Sequence, residues 1–77
     1  MKGEMRIVRP YNHPQAGDER VEWDTDVQET VDTAQAQFAQ LLLNGHVGFV
    51  TTGTPRKLEE FDPEAGRIVM TPPLSGG

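Results

Sequence analysis

The sequence predicts an α+β domain: a mixed sheet of four or five strands with one helix packed across one face. Three observations predict it. Val27, Val31, Ala34, Phe38, Leu41 and Leu42 recur at helical spacing in the middle of the chain. Runs rich in β-formers lie on both sides of that stretch and are bounded by Gly, Pro, Asn and Asp turn signals. The resulting order is strand, strand, helix, strand, short element, strand, which one sheet and one helix satisfy with a single core.

The first strand is predicted over residues 5–11, with 1–4 as a ragged start. Met5, Ile7 and Tyr11 share one face there, and Pro10 favours the strand's end or an edge. Residues 12–18, Asn-His-Pro-Gln-Ala-Gly-Asp, read as a loop. Glu19-Arg-Val-Glu-Trp23 alternates, placing Val21 and Trp23 inward. The two runs predict a hairpin with a long loop.

Asp24 and Asp26 are N-cap candidates, and Asp26 with Glu29 has capping-box spacing. The spacing predicts a helix over 26–44, ended by the Asn44-Gly45 C-cap signal. Residues 46–51 predict a third strand and 52–55 a turn. Residues 56–61 fit a short strand or a turn of helix. Residues 62–66 read as a tight loop with Gly66 in the left-handed conformation. Arg67-Ile-Val-Met-Thr71 is the last strand. The predicted core is Ile7, Val21, Trp23, Val31, Phe38, Leu41, Leu42, Phe49, Ile68 and Met70.

At 77 residues the chain is one domain. A domain of this size buries only about 60% of its unfolded surface, so its core is thin. No apolar run approaches the length of a membrane span. No basic, then apolar, leader is visible, and cysteine is absent. Together these imply a cytoplasmic protein without disulfides or thiolate chemistry. The formal net charge of −5 argues against nucleic acid as a partner and suggests docking on a basic surface.

The last strand runs into Pro72-Pro73-Leu74-Ser75-Gly76-Gly77. Two prolines hold φ extended and remove two ladder donors. The two glycines carry no Cβ and can enter a slot too narrow for any side chain. The reading is a domain over 1–72 and a flexible tail over 73–77, with a carboxylate at the tip. This composite, over residues 67–77, resembles the C-terminus of the small subunit of molybdopterin synthase. More loosely it is similar to thiamine-type sulfur carriers and ubiquitin-like modifiers. These share the ubiquitin-like β-grasp fold, in which the first and last strands lie parallel at the centre of the sheet. Sulfur carriers usually have Val-Asn-Gly after the third strand and Gly-Asp before the last. Here those regions read Thr52-Gly-Thr-Pro55 and Glu64-Ala-Gly66.

The resemblance implies that Gly77, preceded by Gly76, is the acyl group activated by a separate adenylating enzyme with ATP. Pro72, Pro73, Leu74 and Ser75 are then the tail that the partner grips. The chain itself is implied to be no enzyme and to bind no cofactor. Two partners are implied in turn: the adenylating enzyme, then a sulfur-accepting synthase that takes a C-terminal thiocarboxylate. The alternative is a modifier conjugated through Gly77 to a target amine by a conjugating enzyme. A further alternative is a structural β-grasp protein, of phage or mobile-element type, whose tail is never activated.

Other constellations read as structural. His13 and His46 lack metal-ligand spacing and are expected to be exposed polar residues. Asp24, Asp26 and Glu29 are expected to cap the helix rather than bind a cation. Glu59, Glu60, Asp62 and Glu64 form an acidic patch, either a solvated edge or a docking surface.

Overall fold

The computed structural model describes residues 1–8 and 18–72. Five strands and one helix follow in the order β1 (Lys2–Val8), β2 (Asp18–Asp24), α1 (Gln28–Leu43), β3 (Val47–Val50), β4 (Arg56–Leu58) and β5 (Arg67–Thr71). The sheet order is β2-β1-β5-β3-β4. β1 pairs antiparallel with β2 and parallel with β5, while β3 pairs antiparallel with β5 and β4. A parallel neighbour needs a long crossover, and the segment containing α1 provides it. This is the β-grasp arrangement, with β5 in the middle of the sheet.

One sheet face is covered by α1. Met5 and Ile7 of β1, Ile68 and Met70 of β5, and Trp23, Val50 and Leu58 meet Val31, Ala34, Phe38 and Leu41 of the helix in one cluster. Val21, Leu42 and Phe61 pack against it partly buried. The expected core is therefore largely in place, with Met5, Ala34, Val50, Leu58 and Ala65 added to it.

Four expectations are corrected. β1 begins at Lys2 rather than Met5, because Gly3 is a working strand residue that pairs with Trp23. Phe49 lies on the uncovered face, not in the core. The reason is Gly48: an added Cβ there would stand 2.9 Å from both Met70 Sδ and Phe38 Cε2. Only a glycine fits beneath the Phe38 ring, so Gly48 and Val50 face inward and Phe49 faces out. Val27 is 47% exposed and is the N-cap residue rather than part of the buried stripe. No side chain caps the helix; the Asp24 carboxylate accepts the Asp26 N–H at 2.9 Å instead. The Val27 N–H reaches back to Asp24 O at 2.8 Å, so the chain turns over 24–27 before α1 starts.

The other end of the helix follows the sequence signal. The Gly45 N–H bonds Leu42 O at 3.0 Å and the His46 N–H bonds Leu41 O at 2.9 Å. This paired closure needs a left-handed residue, and Gly45 has φ 92. Gly66, at φ 81, is left-handed as expected before β5. Residues 56–58 resolve the open choice at that segment as a short edge strand.

Candidate functional site: the end of the central strand

β5 is held on both sides along its length. Glu4, Met5, Arg6 and Ile7 of β1 lie in register with Arg67, Ile68, Val69 and Met70. On the other flank Val47, Gly48, Phe49 and Val50 of β3 lie opposite Thr71, Met70, Val69 and Ile68. Ile68 and Met70 are fully buried. At the strand's start the Glu4 N–H bonds Gly66 O at 2.9 Å and the Thr51 N–H bonds Arg67 O at 3.2 Å. At its end the Thr71 hydroxyl donates to Val47 O at 3.3 Å. Pro72 follows, half-buried and outside the ladder. Chain leaving at Pro72 thus departs from the middle of the sheet. A pull on it loads two neighbouring strands at once, not a single edge.

Of the predicted tail, Pro72 is the one residue within the described set. Pro73, Leu74, Ser75, Gly76 and Gly77 lie outside it, as do His13, Pro10 and Tyr11. His46 is buried, contrary to the expectation of exposure, because it closes the C-terminal turn of α1 and leads into β3. Among the described residues no three of His, Cys, Asp and Glu are grouped to hold a metal ion. No helix among them is long and apolar enough to cross a membrane.

The acidic patch divides. Glu59, Glu60 and Glu64 are exposed. Asp62 is committed locally: one oxygen lies 3.3 Å from Arg56 Nη2 and the other accepts the Glu64 N–H at 3.0 Å. Its role is to shape the loop that delivers the chain into β5. That loop is also tied across the fold, since the Trp23 indole N–H donates to Pro63 O at 2.8 Å.

Comparison with family models, with curated proteins and with solved structures returns no match. The functional reading therefore rests on the fold, on the anchorage of β5 and on the chemistry of the segment that follows it.

Proposed function

We propose that this chain is a ubiquitin-like carrier protein, cytoplasmic in location, whose Gly77 carboxylate is adenylated by a partner enzyme and then converted to a thiocarboxylate for sulfur transfer. The observation that carries the reading is the placement of β5. A buried, doubly paired central strand leads straight into Pro72-Pro73-Leu74-Ser75-Gly76-Gly77. Such a base fixes the point at which the chain leaves the sheet, and a partner that grips the segment after it would position the acyl terminus.

The chemistry needs little from the chain beyond that terminus. The Gly77 carboxylate attacks the α-phosphorus of ATP, and pyrophosphate leaves. A carboxylate is a poor electrophile, whereas the resulting mixed anhydride is a good one. The outer sulfur of an enzyme persulfide attacks its carbonyl carbon and AMP leaves. A second thiol then breaks the S–S bond, releasing the thiocarboxylate and leaving a disulfide. The absence of cysteine from the chain is compatible with this, since the transferred sulfur sits on Gly77.

The test is the intact mass of the protein after incubation with the adenylating enzyme, ATP and a persulfide donor. Exchange of one oxygen for sulfur at Gly77 is the expected product. An unchanged mass, with no pyrophosphate released, would overturn the proposal. An adduct joining Gly77 to a protein amine would replace sulfur transfer with the modifier reading, because both follow from capture of the same activated acyl group.

A further inference from the structure

The two edges of the sheet differ. β4 is three residues long, the short kind of edge that resists pairing. β2, at the other edge, is seven residues long. Its backbone parity is fixed by a bond at its end: the Thr25 N–H donates to Met1 O at 2.8 Å. Bonded and non-bonded pairs alternate along an antiparallel ladder, so Gly3–Trp23 and Met5–Val21 are the next bonded pairs. The Glu4 N–H agrees with this parity, since it turns away from β2 to Gly66 O. The backbone groups of Asp18, Arg20, Glu22 and Asp24 therefore point out from the sheet edge. Asp24 is already satisfied there: its N–H donates to Thr30 Oγ1 at 2.8 Å and its carbonyl accepts the Val27 N–H at 2.8 Å. Among the described residues no protein group meets the outward N–H and C=O of Arg20 and Glu22.

Charge decides what kind of strand can use them. β2 reads Asp-Glu-Arg-Val-Glu-Trp-Asp, four carboxylates to one guanidinium. That guanidinium is engaged by Glu4, which lies 3.4 Å from Arg20 Nε. Glu22 is exposed and faces Glu4 directly across the ladder. Like charges directly opposite destabilise a sheet, and a cation on the free side of Glu22 would relieve the pair. A second copy of β2 would bring four more carboxylates instead, so charge guards this edge against self-pairing.

We infer that β2 accepts an extended basic segment of a partner protein, added antiparallel to the sheet edge as a further strand. The main chain of that segment bonds Arg20 and Glu22. Its side chains opposite Asp18 and Glu22, on the face away from α1, are Lys or Arg. The side chain opposite Val21 is apolar, because Val21 is half-buried and packs on the core at the helix side. The bonds of Asp24 to Thr30 and Val27 set where the added strand ends. Strand addition at β2 is independent of whether Gly77 is activated.

The test is amide hydrogen exchange of the full chain, titrated with an extended peptide of about six residues. The peptide places lysines opposite Asp18 and Glu22, threonine opposite Arg20 and valines between. A second version has glutamate for each lysine. The basic peptide is expected to slow exchange at the Arg20 and Glu22 amides and to leave the Val21 amide, already bonded to Met5, unchanged. Its binding should weaken with salt. Glu22→Lys should weaken it by about tenfold, one attraction turned into a repulsion. Glu22 is exposed, so an unchanged melting curve separates lost binding from lost folding. Equal binding of the glutamate version, protection at β4 in place of β2, or protection of Arg20 and Glu22 that grows with protein concentration alone would each overturn the inference. So would no protection with either peptide, which leaves β2 a solvated edge guarded by its charges.

Discussion

Trp23 lies over Gly3 so closely that a Cβ on Gly3 would stand 2.4 Å from Cζ2 of the indole. The two residues are directly paired in the β1–β2 ladder and face the helix side together. The ring therefore occupies the space that a side chain at position 3 would fill. It is 2% exposed, packs edge-on against Phe61 at 4.9 Å between centroids, and hydrogen-bonds Pro63 O. One aromatic thus joins the outer hairpin to the loop that feeds β5.

Gly3→Ala is expected to destabilise the fold by about 1–3 kcal/mol, the usual cost of forcing extra volume into a filled site. Chemical denaturation checks it, with the fluorescence of the single tryptophan as probe. An unchanged midpoint would mean that the ring moves aside freely.

Trp23→Phe should keep most of the packing and lose the bond to Pro63. The expected cost is about 1–2 kcal/mol, since Pro63 is only half-buried and water can replace the donor. The local readout is hydrogen exchange at the Ala65 amide, which bonds Asp62 O at 3.1 Å within the same loop. Faster exchange there than in β1 or β3 is expected. A uniform change across the sheet would show that the indole bond does not hold the loop.

Phe38 and Phe49 test the two faces against each other. Phe38 is 2% exposed and sits over Gly48 beside Met70. Its truncation to Ala should cost about 3–5 kcal/mol, a large part of what a small domain has. Phe49→Thr, which replaces one strand-favouring side chain with another on the open face, should cost no more than about 1 kcal/mol. Equal losses at the two positions would contradict the outward placement of Phe49.

That pair also marks where sequence reasoning succeeds and where it stops. The stripe carrying Phe38 is legible because Val31, Ala34 and Leu41 repeat its phase over several turns. Asn44-Gly45 names its end, because a left-handed glycine has few other uses there. A four-residue strand offers no such redundancy. Val47-Gly-Phe-Val50 puts an apolar residue at either phase, and the choice is made by Phe38, a distant residue that requires Gly48 beneath it. The start of β1 is hidden for the same reason: Gly3 reads as a chain breaker until Trp23 is known to lie on it. Asp26 and Glu29 have capping-box spacing, but the helix starts one residue later, at the Val27 N-cap, and a local turn takes the Asp24 carboxylate.

The tail separates chemistry from stability. The ladder of β5 ends at Thr71, and the described core cluster runs from Met5 to Met70. Deleting Gly77 is expected to move the melting temperature by no more than about 2–4 °C, the equivalent of a surface change in a domain this small. The same deletion should abolish ATP–pyrophosphate exchange by the adenylating enzyme if Gly77 is the acyl donor, because the carboxylate then lies one residue short of the nucleotide. Gly76→Ala should lower exchange strongly with the same melting curve, since a Cβ is added where the carrier reading needs a narrow thread. If exchange survives the loss of Gly77, the terminus is not the reacting group. If exchange fails for the Gly77 deletion while the melting curve is unchanged, activation at the terminus stands.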